Sequence, residues 1–434
     1  MNQSAPAPAL EAVPPPVDAP PAEVPVLTLP ADGVPDVVAD PHALTAAIRR
    51  LAAGSGPIAL DTERAQGFRY TNRAYLVQLR RAGAGTVLID PVPLVAAGGP
   101  GLGDLRDALD DEWIIHAASQ DLPCLAEIGL LPERLFDTEL AARLLGYPRV
   151  ALGTLTESLL GVRLLKEHSA ADWSRRPLPP EWLAYAALDV ELLGELRHRL
   201  AEELREQRKD EWAAQEFAAL VTWANSPAAV RQDPWRRTSG IHHVRSPLGL
   251  AVVRELWLTR DEIAARLDKA PGRILGDEAM TQLAAPLRTH PVTVDRSTLR
   301  AIERFNRREA RRFESSWLSA VERAAALPRS ALPPVTTESD GPPTLRSWAR
   351  RSPAAAARWE SVRPAVNEVA TRVGLPAENL VSPDALRRVL WEPAGADPDA
   401  LDAQLAGFGV REWQRGLILD VVVSGVRDAQ GTGR

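Results

Sequence analysis

Ile58-Ala59-Leu60-Asp61-Thr62-Glu63 is an apolar run that ends in two carboxylates one residue apart. Its β-branched and aliphatic residues after Gly56-Pro57 predict a buried strand. Successive side chains on a strand point to opposite faces, so Asp61 and Glu63 point the same way. Two hard oxygen ligands side by side at a strand end are what a divalent cation requires. The same pair also fits a solvated strand end, a helix cap or a salt bridge, so the reading turns on whether matching acids follow.

Working outward, Asp40-Pro41 predicts a helix start, with an acidic cap and Pro in the first turn, and the helix runs to Leu51 before Gly54. After Glu63, residues 74–79 and 86–90 read as two more strands around Gly83-Ala84-Gly85, which makes an antiparallel meander. Then the chain alternates: a helix near 102–109, a strand at 113–116, a helix at 121–127, a strand at 135–138 and a helix at 139–145. Helices over 152–160 and 180–207 complete a mixed α/β sheet with helices on its faces.

The 434 residues are enough for two to four domains, with 45% hydrophobic and 25% charged residues. Cys124 is the single cysteine, which excludes an internal disulfide or a cysteine-rich zinc site and suits a reducing cytosol. No apolar run approaches a membrane span, and the amino terminus has no secretory signature, so a cytoplasmic protein is expected. Residues 1–26 are rich in Pro and Ala and predict a disordered tail. Residues 27–200 carry a charge of −6 and residues 228–330 one of +7, the pattern of an acidic catalytic unit beside a basic grip or of two unrelated domains.

Two downstream segments supply the acids. Trp113-Ile114-Ile115-His116-Ala117-Ala118-Ser119-Gln120-Asp121 is a strand, a small-residue loop and an acid opening a helix. Tyr185-Ala186-Ala187-Leu188-Asp189 places a phenol and a carboxylate one helical turn apart on one face. In isolation Asp121 is equally a helix cap and Tyr185 a packing residue. In order, D-x-E, H-A-x-S-x-D and Y-x-x-x-D resemble the DEDD superfamily of 3′–5′ exonucleases, tyrosine subclass. Phe136-Asp137-Thr138 and the segment from Leu165-Lys166 to Asp172-Trp173 extend the likeness to ribonuclease D over about residues 35–210.

The resemblance implies a ribonuclease-H-like α/β fold with Asp61, Glu63, Asp121 and Asp189 as metal-binding carboxylates and Tyr185 positioning the attacking water. Four carboxylates without clustered Cys or His favour Mg²⁺ or Mn²⁺. Two such ions clamp a phosphodiester in hydrolysis. The chain departs from the family at Arg64, where relatives carry a Phe that contacts the terminal nucleotide. Arg64 reads as a phosphate partner or as a strand-end side chain in solvent, and Phe68 or Tyr70 as the stacking surface. His116 and, in the loop 165–173, Lys166 and His168 are further candidates for substrate contact, each with a purely structural alternative.

Beyond residue 208 strand signals fade. Helices are expected over 247–268, 277–287, 295–326, 344–373, 383–391 and 398–427, divided by Pro-bearing linkers at 226–246 and 328–343. Residues 246–325 resemble an HRDC domain in Arg254-Glu255-Leu256-Trp257 and Pro271-Gly272-Arg273-Ile274-Leu275, which implies nucleic-acid or protein docking. The expected units are an exonuclease domain at 27–225, an HRDC domain at 247–327 and a second HRDC-like helical domain at 344–430. Arg304, Arg308 and Arg311 share one face of the expected helix and are placed to track a phosphate backbone, or to form a salt-bridged surface with Glu303, Glu309 and Glu314. Trp235-Arg236-Arg237 and His242-His243 form another basic, aromatic candidate in the linker.

The functional expectation is a monomeric, two-metal 3′–5′ exoribonuclease that trims RNA with a single-stranded 3′ end, such as a tRNA precursor, to nucleoside 5′-monophosphates. DNA end processing, or a nonenzymatic RNA-binding scaffold on an exonuclease fold, are the alternatives.

Overall fold

The computed structural model describes residues 24–96, 101–164, 170–227, 231–289, 293–336 and 341–431. Most of the expected tail, and Lys166 and His168, lie outside the described residues. Six strands form the main sheet: β1 Val37–Val38, β2 Ser55–Arg64, β3 Ala74–Ala82, β4 Gly85–Ile89, β5 Trp113–Ile115 and β6 Leu135–Asp137. Their order is β1-β4-β3-β2-β5-β6. The β2-β3-β4 meander is antiparallel, whereas β1 joins β4, and β5 and β6 extend β2, in parallel. The expected mixed sheet is present, and β2 lies inside it.

Alternation along β2 divides the layers. Ile58 and Leu60 enter the main core with helix α1 (Pro41–Ala52), whose Asp40 cap accepts from His42 N and Ala43 N at 2.9 Å. Ala59 points the other way, onto Val190 and Leu193, and Asp61 and Glu63 share its face. Helix α4 (Pro180–Glu191) crosses that face; the small side chains of Ala186 and Ala187 let it approach Leu76 and Leu88. Helices α2 (Leu122–Glu127) and α3 (Thr138–Leu144) follow β5 and β6.

The helix expected over 180–207 is two helices, α4 and α5 (Leu193–Glu206), broken at Leu192. The break lets α4 present Tyr185 and Asp189 to the sheet while Leu196, Leu200 and Leu204 of α5 enter the main core. Helix α6 (Asp210–Ala224) packs next, with Phe217 5.0 Å from the Phe136 ring.

The HRDC region has its own core, built on α7 (Pro247–Leu267), α8 (Asp277–Ala284) and α9 (Glu314–Ala325) around Leu256, Met280 and Trp317. Trp235 belongs to this core at 2% exposure, and Arg236 stacks on its ring and pairs with Asp233. That part of the expected linker is therefore a packed cover, not a free basic strap. The helix expected over 295–326 is interrupted: Arg307 is extended at φ −61° and ψ 142° between the turn Glu303–Asn306 and the short helix Arg308–Arg312. Arg304, Arg308 and Arg311 consequently do not share one helix face, and Arg304 pairs with Glu278 at 2.5 Å.

The last region contains α10 (Pro353–Arg372), α11 (Pro383–Trp391), α12 (Pro398–Gly407) and α13 (Glu412–Gly431). Two helices expected to be continuous are split. Ser352 leaves the helical region at φ −152° ahead of Pro353, whose ring disfavours a helical predecessor. Gly409 at φ +78° ends the preceding helical turn. This region shares one apolar core with the sheet domain. Trp212 stacks on Trp413 with ring centroids 4.7 Å apart, and Glu216 Oε1 accepts from Trp413 Nε1 at 3.0 Å. A Cβ on Gly146 would meet Gly374 O at 2.5 Å, so the two backbones touch where only glycine fits. Among the described residues no helix is long and apolar enough to cross a membrane.

Candidate active site

At the end of β2, Asp61, Glu63 and Asp189 offer carboxylate oxygens that lie within 4.8 Å of one another. Alternation aims the first two at α4, and α4 returns the third. Asp121 lies beside this group, near enough for its charge to raise Asp61, Glu63 and Asp189, but outside the three-acid cluster. It follows the turn Ala118–Gln120 and precedes α2, yet its side chain makes no capping bond. Instead Asp121 Oδ1 accepts from Thr62 Oγ1 at 2.5 Å, and its carbonyl accepts from Cys124 Sγ at 3.0 Å. Thr62, between the two strand acids, points away from them and holds the fourth acid.

Asp137 fixes the loop that carries Asp121. Its carboxylate accepts from Ala117 N at 3.1 Å, Ala118 N at 2.9 Å, Glu139 N at 2.9 Å and Leu140 N at 3.1 Å. Ala117 is left-handed at φ +59°, a strained position for a residue with a Cβ, and the two bonds from 117 and 118 hold it there. His116 Nδ1 lies 2.9 Å from Thr138 Oγ1, so part of its capacity is used structurally beside this loop.

Electrostatically the acids are crowded. Burial first, then Asp121 and Asp189, drive Asp61 well above the usual carboxylate range. Glu63 is driven up by burial and then by Asp61 and Asp189. Burial pushes Asp121 up to about 6, against the opposing Thr62 bond and Arg64 charge. It pushes Asp189 up to about 7, against the Tyr185 hydrogen bond. Tyr185 is itself raised, by burial first and by Asp189 next, so the phenol keeps its proton. Its ring lies 6.4 Å from that of buried Trp173, which fixes its direction.

Arg64 is not a strand-end side chain in solvent. Its Nη1 donates to Gln120 O, and its Nη2 lies 3.9 Å from Asp121 Oδ1, with 16% of the side chain exposed. It braces the Asp121 loop instead of reaching solvent. Phe68 and Tyr70 are engaged with the HRDC region: Phe68 O accepts from Ala270 N at 3.1 Å, and Tyr70 Oη donates to Asp261 Oδ2 at 3.0 Å. Asp268 accepts from Thr71 N at 3.2 Å and Oγ1 at 3.1 Å, and lies 3.8 Å from Arg69 and 4.0 Å from Arg73. The turn after the D-x-E strand is thus the docking edge for the HRDC region.

Neither the Thr62 bond nor the loop-holding role of Asp137 follows from the sequence motifs. A small hydroxyl residue in the opposite phase to two acids was the available signal for Thr62. Gln78 was also missed: it stands opposite Asp61 in the β2–β3 register, fully buried, with neither amide atom partnered.

Comparison with known proteins agrees with this architecture. Residues 35–205 match the 3′–5′ exonuclease family, 249–321 the HRDC domain, and 341–426 the 3′ to 5′ exonuclease C-terminal domain. The ribonuclease D of Gluconacetobacter diazotrophicus is 35% identical over 296 residues, 66% of this chain and 71% of that protein. The ribonuclease D of Granulibacter bethesdensis is 32% identical over 306 residues, 68% of this chain and 72% of that protein. A protein from Bifidobacterium adolescentis is 38% identical with a TM-score of 0.82, covering 93% of this chain and 100% of its own. Escherichia coli RNase D, described as an exoribonuclease involved in structured RNA processing, shares the fold at 23% identity and a TM-score of 0.64, over 91% of this chain and 98% of its own.

Proposed function

The chain belongs to the ribonuclease D family and is a 3′–5′ exoribonuclease, and on that premise we propose that Asp61, Glu63, Asp121 and Asp189 hold two divalent cations at the catalytic centre. The observation that carries this reading is the convergence of Asp61, Glu63 and Asp189 within 4.8 Å, each raised by burial. Buried carboxylates so close cannot all ionise unless cations replace their protons. The donor set is oxygen alone, which fits Mg²⁺ or Mn²⁺. When bound, the ions supply water activation and stabilise the leaving 3′-oxygen.

The chain's own residues do the rest. Tyr185, protonated and fixed against Trp173, orients the attacking water by hydrogen bonding and does not serve as its base. Thr62 and Arg64 hold the buried Asp121 beside the site, and Asp137 shapes the loop behind it. Attack at the last phosphodiester releases a nucleoside 5′-monophosphate. The substrate class we favour is RNA with a single-stranded 3′ end, including tRNA precursors, acted on by a monomer.

Incubation with a 3′-extended tRNA precursor and Mg²⁺ or Mn²⁺ tests this reading. Wild type shortens the RNA and releases mononucleotides, whereas Asp61→Ala and Asp189→Ala do not. Trimming by either variant at the wild-type rate would overturn the assignment.

A further inference from the structure

The exonuclease and HRDC regions enclose a cavity of about 560 Å³ that the catalytic reading does not use. Two exonuclease segments line it, and both lead back to the acids. Phe68 and Arg69 belong to the turn that follows Glu63, and Asp172 adjoins Trp173, against which Tyr185 packs. The opposite wall is HRDC, from Lys269 to Gly276 with Arg304 and Arg307.

Five cationic side chains line this cavity against two carboxylates, Asp172 and Glu309. Most of the cations are held loosely or from one side. Lys269 pairs with Glu309 at 3.2 Å and Arg304 with Glu278, both at the surface, where such pairs exchange readily. Arg69 donates to Ser174 Oγ at 2.7 Å. Arg273 donates to Gly67 O at 2.5 Å, and its guanidinium carbon sits 4.1 Å from the Phe68 ring centroid. Arg307 is exposed, and its guanidinium makes no hydrogen bond or ion pair among the described residues.

A concave site with excess positive charge between low-dielectric walls concentrates anions. Guanidinium groups pair with phosphate oxygens, and contacts of that kind carry no base sequence. The walls are mostly charged, which suits a polyanion better than an apolar peptide.

We propose that this cavity is an upstream phosphate subsite. In it Arg307 and Arg273 receive a backbone phosphate of the RNA some nucleotides 5′ of the residue being removed. The proposal rests on the exoribonuclease reading and adds to it a site built jointly by the two domains. It also explains why the docking edge lies directly after the D-x-E strand: the same turn that joins the domains would set the distance between the metal centre and the subsite. Single-strand phosphate contacts made this way carry affinity and salt dependence without sequence preference.

The test measures binding of a ladder of oligoadenylates, from dinucleotide to dodecanucleotide, by fluorescence anisotropy, with Ca²⁺ replacing Mg²⁺ and the full chain throughout. The variants are Arg307→Ala, Arg307→Glu and Arg273→Ala. Arg307 has no partner to lose, so its variants keep the fold even if Arg273→Ala loosens the domain contact. For long oligomers, Arg307→Glu is expected to weaken binding about tenfold or more and to reduce the salt slope by about 0.7, one single-strand phosphate. For the dinucleotide, binding and Mg²⁺-dependent hydrolysis stay within about twofold of wild type, because it ends before the subsite. Unchanged long-oligomer affinity overturns the proposal, and so does an equal loss at every length. Failure of the wild type itself to hydrolyse any oligomer with Mg²⁺ or Mn²⁺ counts against the exoribonuclease reading, while the length dependence still reads out the subsite.

Discussion

Thr62 Oγ1 donates a 2.5 Å hydrogen bond to Asp121 Oδ1, although the two residues are 59 positions apart. One strand thus supplies two acids on one face and the support of another acid from the opposite face. Thr62→Val removes the donor and leaves a buried carboxylate undersatisfied, which costs about 1–3 kcal/mol. Loss of a supporting bond of this kind weakens metal sites by about 10–100-fold. We expect the Mn²⁺ concentration for half-maximal trimming to rise by about tenfold, with the KM for RNA little changed. A Mn²⁺ titration of activity beside a thermal melt checks this, and an unaltered midpoint would remove Thr62 from the site.

Stability without metal should depend on pH in a definite direction. Asp189 is raised to about 7 and Asp121 to about 6 from 3.8. A raised acid binds its proton more tightly in the folded than in the unfolded state. Its stabilising contribution is therefore complete below the unfolded value and disappears as pH rises through the folded one. In EDTA the melting temperature should fall between about pH 4 and pH 7, and saturating Mg²⁺ should abolish the fall by replacing the protons. A metal-free melting temperature that climbs steadily over this window contradicts the proposed crowding of the acids.

Tyr185→Phe keeps the ring against Trp173 and deletes only the hydroxyl. Loss of a group that positions a reacting water costs about 10²-fold or more in rate. We expect kcat to drop accordingly and KM to hold. The shape of the pH–rate profile should persist, because the phenol's pKa is pushed upward and it does not titrate in the working range. Loss in the variant of an ascending limb, the rise in rate as a base sheds its proton, would instead make Tyr185 a base.

Trp413→Ala should destabilise the exonuclease domain as well as the carboxyl-terminal helices, because their apolar cores are continuous. Removing a buried tryptophan that stacks on Trp212 costs about 3–5 kcal/mol. Differential scanning calorimetry should show the transition shared by these two regions moving down while a transition assigned to the separate HRDC core stays in place. Independent melting of the carboxyl-terminal region would refute the shared core.

Sequence reasoning reached far along this chain where the information is local. The alternation of Ile58, Leu60 and Asp61 gave the orientation of β2, and the Asp40-Pro41 pair gave the start of α1. Helix length was the weaker inference. Hydrophobic spacing continues through Leu192, Arg307 and Phe408, and a periodic pattern does not register the break that packing imposes. Arg64 shows the same limit at a single side chain, since its partners on the Asp121 loop lie 56 and 57 positions away.

By itself the sequence determined the residue types, their order and the strand and helix periodicities. These suffice for a mixed α/β exonuclease domain and an HRDC region, and for nominating four acids and a tyrosine as site candidates. The tertiary structure decided which groups meet. It brought Thr62 to Asp121 and Asp137 to the Ala117 loop, set Phe68 O and Tyr70 Oη against the HRDC region, and merged the last helices with the catalytic domain. The physical reason is one of range. Propensity and alternation act between near neighbours, whereas hydrogen bonds and burial between residues tens of positions apart exist only once the chain has closed on itself.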